Sequence, residues 1–330
     1  MAMTTIGDLA QHFATRRQNT DIKARMNVLT TELSSGKIQD LTRHLSGDTA
    51  RVSSVDRDLR QIASYQLANT ETAQQLTAVQ AVLTEAETMR GDLSSAAVMI
   101  TESSTASDIE AVSHSAKQTL KSLIQSLNTQ FAGHSLFAGT TTDTRALADA
   151  ETLISAVTVA AQSGSDPMAG IEAWFDDPSG FQSVGYTGDS GDLPTRRLGP
   201  DRMISIPARA DSDAIRDTIR AVVTAAIATD IGLSLDDQIG MISAASEQLF
   251  TAADGIARLQ GEVGLAEQTV EDQSARLTAQ KAAVTLMQSA LTDADPFETA
   301  TNLQQVQLQL ETHYTLTARL ASLSFTGYMR

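Results

Sequence analysis

The 330-residue chain has no cysteine, which excludes disulfide scaffolds, thiolate zinc sites and thiol nucleophiles. Aromatic residues amount to only 4%. No apolar run approaches the ~20 residues of a membrane-spanning helix, so membrane insertion is not expected. The opening MAMTTIGDLAQHFATRRQN has neither the apolar core nor the small-residue cleavage site of a secretory signal. Cations are scarce, with 24 Lys and Arg against 40 Asp and Glu and a net charge of -16. A nucleic-acid surface requires clustered cations to displace counterions, so nucleic acid is not an expected partner.

The distribution of charge says more than its total. Residues 141–240 hold 16 acidic and 7 basic side chains, whereas residues 1–45 hold 4 and 6, and residues 297–330 hold 2 and 2. An acidic middle faces water; near-neutral ends face something else. Five of the six prolines (Pro167, Pro178, Pro194, Pro200, Pro207) and the sole Trp174 also fall in the middle third.

The flanks read as helix. From residue 20 to 130 there is no proline, and apolar residues recur at three and four: Leu59 and Ile62, then Leu76, Val79, Leu83 and Ala86, then Leu120, Leu123, Leu127 and Phe131. Gly91 and TESSTASD (101–108) mark a turn, with Ser107 or Asp108 as the next N-cap. Beyond residue 240 the spacing becomes heptad-like. Ile256, Leu259, Val263, Ala266, Val270, Gln273, Leu277, Gln280, Val284, Met287 and Leu291 form a coiled-coil seam. Gln273 and Gln280 either set register or occupy a looser stretch. After Pro296 a last helix runs to about Leu323. Leu303, Val306, Leu310 and Tyr314 form one stripe on it, with Leu316, Leu320 and Leu323 well round from that stripe and Leu308 further still. A helix so broadly apolar needs cover from several sides, which makes Leu303, Val306, Leu310, Tyr314, Leu316, Leu320 and Leu323 the expected subunit interface.

Residues 141–240 are turn-rich (DDPSG, GYTGDSGD, RLGPD). MISIPAR (203–209) suggests a strand, and DAIRDTIRAVVTAAIA (213–228) a single amphipathic helix. This is a small α+β insert. The chemistry-bearing patterns are weak. Ser34-Ser35-Gly36-Lys37 fits S-x-x-K without companion motifs and reads better as a helix break with Gly36 as a C-cap. Gly185, Gly188 and Gly191 lack the strand-helix frame of a phosphate loop. Asp189, Asp192 and Asp201 do not follow an EF-hand spacing, and His12, His44, His114, His134 and His313 are scattered. No enzyme, cofactor or metal site is expected.

Three stretches carry a resemblance: TTELSSGKI (30–38), SLNTQFAGHSLFAGTTTDT (126–144) and TNLQQVQLQLETHYTLTARLASLSFTGYM (301–329). In this order around a variable insert they resemble the flagellin superfamily of bacterial axial proteins, most closely its hook-filament junction branch. The resemblance covers roughly residues 1–140 and 240–330. QDLTRHLSGDTARV departs from the Asp-Pro-rich loop usual after the first motif, and FTGYMR from the usual closing leucines and acid.

What the resemblance implies is a mainly α protein, with long antiparallel coiled-coil helices from both chain ends and an inserted outer domain. The expected layers are 1–45 with 295–330, 46–140 with 241–294, and 141–240. Phe131, Gly133, Phe137 and Gly139 mark the boundary to the insert. Implied partners are copies of itself in a ring, a neighbouring hook-associated protein, flagellin, and an export chaperone on the C-terminal helix. The implied location is the extracellular flagellum, reached by type III export without a cleaved signal. A filament flagellin, or a cytoplasmic coiled-coil signalling or adaptor protein, are the alternatives.

Overall fold

The computed structural model describes residues 6–191, 193 and 195–328, with side chains described from residue 10 to 319 apart from 11 and 12. The fold is mainly helical. Helix α1 spans Ile6–Ser35, α2 Leu41–His44, α3 Ala50–Val98 and α4 Ala106–Leu127. The insert follows with α5 (Ala150–Gln162), α6 (Pro167–Asp176), a π-helical turn (Phe181–Gly185) and α7 (Asp213–Ile227). Two long helices close the chain, α8 (Leu235–Thr292) and α9 (Pro296–Tyr328). Two antiparallel hairpins complete it: β1 (Gln130–Phe131) with β2 (His134–Ser135), and β3 (Thr195–Gly199) with β4 (Arg202–Ser205).

Helix ends follow local chemistry. Gly36 takes φ +68° directly after α1, the left-handed conformation that a glycine adopts at little cost. Gly91, expected at a turn, lies inside α3, which continues to Val98. One internal glycine costs only about 1 kcal/mol, less than the packing gained along this helix. The N-cap of α4 is Thr105, not Ser107 or Asp108. Asp108 sits three residues on, and its carboxylate accepts from the Thr105 backbone N–H at 2.8 Å, completing a capping box.

The chain forms two compact units, residues 1–61 with 279–330 and residues 62–278. These divisions fall within the uninterrupted helices α3 and α8, whereas the sequence placed borders near 45, 140, 241 and 294. The insert belongs to the second unit.

In that second unit the seam of α8 is buried at Ile256, Leu259, Val263, Ala266, Val270, Gln273 and Leu277. Gln280 is exposed, Val284 and Leu291 are half-buried, and Met287 lies off the stripe, where Gln288 replaces it and donates to Asp56 Oδ1 at 2.7 Å. After Ile62 the α3 stripe is a continuous three-four repeat through Asn69, Thr72, Leu76, Val79, Leu83, Ala86, Arg90, Leu93 and Ala97, all buried. Its polar members were invisible to apolar periodicity. Arg90 is satisfied: its guanidinium holds Glu87 through two bonds of 2.8 and 2.6 Å and donates to the Leu249 carbonyl at 2.6 Å. Asn69 is fully buried, and neither side-chain polar atom has a partner among the described residues.

A buried unsatisfied amide costs about 1–3 kcal/mol. Asn69→Leu is therefore expected to raise stability by about that amount, read as the midpoint of urea unfolding. An unchanged or lowered midpoint would show that Asn69 earns its place through a partner across the seam.

Candidate assembly site

The terminal pair is built from two matching stripes. On α1 the covered positions are Thr15, Asn19, Ile22, Met26 and Leu29; on α9 they are Thr299, Leu303, Val306, Leu310 and His313. Both follow three-four spacing. The pairing is antiparallel: His313 Nε2 donates to the Thr15 carbonyl at 3.1 Å, while at the other end the Ala294 N–H donates to the Gly36 carbonyl at 3.0 Å. Tyr314 lies beside the pair, with Lys23 Nζ 5.8 Å from its ring centroid. Hydrogen bonds from Lys23 and then Asn19 draw its hydroxyl pKa below the ordinary value.

Where α1 stops and α8 gives way to α9, the two chain segments are clasped. Lys37 and Asp293 form an antiparallel bridge, the Ile38 N–H donates to the Thr292 carbonyl at 2.9 Å, and the Lys37 ammonium contacts the Asp293 carboxylate. That ammonium, ahead of lesser bonds from Ser289 and Thr292, holds Asp293 below the usual carboxylate range. A depressed folded-state pKa adds stability above the unfolded value of about 4, and this is lost as pH falls through the folded value. Between pH 5 and 2 the wild type should lose stability more steeply than Asp293→Asn, measured as thermal midpoint against pH. Parallel curves would show that the clasp contributes nothing.

The structure divides the interface set read from sequence. Leu303, Val306 and Leu310 are half-buried in the α1–α9 seam, while Tyr314 and Leu316 are about half exposed. The side chains of Leu320 and Leu323 lie outside the described residues. Exposed apolar residues not singled out from sequence join them: Phe13, Val28 and Leu33 on α1, and Phe297, 83% exposed, at the start of α9. Leu308 is also exposed. An apolar exterior remains after the seam has used its own residues.

The boundary segment is also more structured than its sequence suggested. Phe131 does not extend the α4 stripe, because α4 ends at Leu127 and Phe131 pairs with His134 in a tight hairpin. Ala132 and Gly133 both take positive φ (51° and 81°), as a two-residue mirror-image turn requires. Asn128 caps the exit: its amide donates to the Leu147 carbonyl at 3.0 Å and its Oδ1 accepts from the Leu147 N–H at 2.8 Å. Phe137 is fully buried, and its carbonyl accepts from Ala210 at 3.0 Å while that of Ala138 accepts from Asp189 at 3.0 Å.

Gly139 has φ +67°, and a Cβ there would collide with the Asp189 carbonyl oxygen. Asp189 is pinned in turn by the Thr140 hydroxyl and by the Gly191 N–H at 2.9 Å, which together lower its pKa. This aspartate, whose sequence spacing fits no EF-hand loop, is a structural tie. Burial is the main cause of the raised pKa of the neighbouring Tyr186, whose hydroxyl donates to the Asp189 carbonyl at 3.0 Å. Among the described residues no group of three or more His, Asp or Glu is placed to hold a metal ion, and no described helix is long and apolar enough to cross a membrane.

Residues 6–142 match the bacterial flagellin N-terminal helical region and residues 247–329 the bacterial flagellin C-terminal helical region, together two thirds of the chain. The chain belongs to the flagellin superfamily. Its two matched regions contain the helices that form the terminal pair, and the unmatched stretch between them contains most of the insert.

Flagellin-superfamily proteins are structural and non-enzymatic, and this one is accordingly a component of the bacterial flagellum, assembled outside the cell. Its fold is similar to that of a putative flagellar hook-associated protein from Vibrio parahaemolyticus, with a TM-score of 0.54 at 15% identity, over 74% of this chain and 99% of that one. FlgL from Bacillus cereus aligns over 72% of this chain and 99% of its own, with a TM-score of 0.45 and 16% identity. No curated protein is a significant sequence match. Family membership replaces the reading as a cytoplasmic adaptor.

Proposed function

We propose that this flagellin-superfamily protein forms the junction between hook and filament, as a ring of identical copies seated between a hook-associated protein and flagellin. The observation that carries the proposal is the terminal pair, whose seam is complete while Phe13, Phe297, Leu308, Tyr314 and Leu316 remain exposed. Each large apolar side chain, once covered by a neighbouring copy, gains about 1.5–3 kcal/mol. The compact insert and the FAGT boundary at 137–140 favour a junction subunit over a filament subunit. Export proceeds through the flagellar type III apparatus, with a chaperone covering α9 until assembly.

Deletion of the gene tests the reading. Cells are expected to keep their hooks, lack filaments and shed flagellin into the medium. Cells with full filaments would overturn it. The filament-flagellin alternative predicts bulk abundance instead, so quantifying this chain against hook protein in sheared flagella separates the two.

A further inference from the structure

A groove of about 320 Å³ lies between α7 and α8, lined among others by Ser212, Asp213, Asp217, Arg220, Gln248 and Glu262. Its polar atoms are incompletely used: Gln248 Oε1, Ser212 Oγ and Arg220 Nε are buried without a hydrogen-bond partner among the described residues. Beside it, the outward face of α8 exposes Phe250 (76%) and Leu265 (67%). On the same face Glu247, Asp254 and Glu262 make no ion pair among the described residues. Arg258 also lines the groove, donating to the Asp254 carbonyl at 3.3 Å, and Arg220 is held by Asp217 at 3.0 Å. Buried acceptors beside unpaired carboxylates suit an entering guanidinium.

The chain carries such a group. Of the seven arginines between 141 and 240, Arg145, Arg209, Arg216 and Arg220 pair with aspartates, and Arg197 folds back onto the carbonyls of Gly199 and Pro200. Arg196 and Arg202 are exposed and without a partner among the described residues, on the β3–β4 hairpin beside exposed Met203. Arg202, which pairs with Gly199 at the turn, is out of reach of Glu262 in its own copy. Gly199 abuts the Gln273 amide, and Gln273 stands eleven positions beyond Glu262 on α8, roughly 16 Å at the helical rise.

We propose that the α7–α8 groove of one copy receives the β3–β4 hairpin of a second copy, with Arg202 and Arg196, which share one face of the hairpin, meeting Glu262, Gln248 and Ser212. Two different complementary patches on one molecule make a head-to-tail contact, the kind that closes into rings. This rests on the reading that the chain assembles with copies of itself.

Because the native chain has no cysteine, Arg202→Cys with Glu262→Cys gives a clean cross-linking probe. Oxidised flagella sheared from cells making this variant should give a ladder of dimers and larger species, absent from either single variant. Arg202→Glu should lose most of its incorporation, and Glu262→Arg added to it should restore it. With the chain present on flagella, the absence of a ladder, a ladder from a single variant, or undiminished incorporation of Arg202→Glu overturns the hairpin contact and leaves the junction reading intact. A chain absent from sheared flagella overturns the axial reading instead. The cross-link is then read on the concentrated purified chain, where no ladder overturns the contact.

Discussion

Ending the chain after Pro296 abolishes its incorporation into flagella and leaves cells without filaments. The expectation follows from how α1 and α9 depend on one another. Ile22, Met26 and Leu29 are covered along a stripe whose counterpart on α9 is Leu303, Val306 and Leu310. Without α9 these side chains return to water at about 1.5–3 kcal/mol for each fully uncovered one. A solitary helix of the mixed composition of α1 does not make good that loss, because helices away from tertiary partners are marginal in water. The truncation also removes Phe297, Leu308 and Leu316 from the exterior. Electron microscopy of the cells and far-UV circular dichroism of the purified chain read the two consequences separately. Full-length filaments on the truncated chain would sink the assembly argument.

Gly139→Val lowers the stability of the second unit by about 3 kcal/mol, from the strain of a β-branched residue in the left-handed region together with a backbone collision. The local structure has no room to yield. The Asp189 carbonyl that meets the new Cβ accepts from the Tyr186 hydroxyl, and the Asp189 side chain is fixed by Thr140 and Gly191. For a unit of this size the loss amounts to roughly 6–12 °C in thermal midpoint. Gly133→Ala supplies the control: Gly133 also has positive φ, but nothing lies within 4 Å of its Cβ position, so only the smaller conformational cost applies. Equal effects of the two substitutions would show that the Asp189 contact is not what Gly139 protects.

Much of the fold was legible because long helices advertise themselves. The seam from Ile256 to Leu277 follows the heptad read from its residues, α7 matches the amphipathic stretch, and α1 stops just before Gly36. The misreadings share a cause: apolar periodicity records only apolar residues. Asn69, Thr72 and Arg90 are full members of the α3 stripe, yet as polar residues they gave no signal. Gly91 and Phe131 were misjudged for a related reason, since packing along α3 outweighs one glycine, and a two-residue hairpin turn outweighs an apolar side chain at helical spacing. The α1 stripe, with Thr15 and Asn19 among its covered positions, was likewise too polar to stand out.

The sequence alone determined the helical flanks, the acidic turn-rich insert, the absence of thiol chemistry and the superfamily, because each is written in composition, spacing or local motif. Only the tertiary structure decided which apolar residues of α9 are used within the chain and which remain outside it. It also decided that Asp189 is a tie beneath Gly139, and that Arg196 and Arg202 have no partner among the described residues. These depend on which groups distant in sequence come within a few ångströms, and on what the first partner leaves uncovered. Leu303 and Leu308 have the same side chain; one is half-buried in a seam and the other faces outward, because five residues along a helix turn a side chain to a different side.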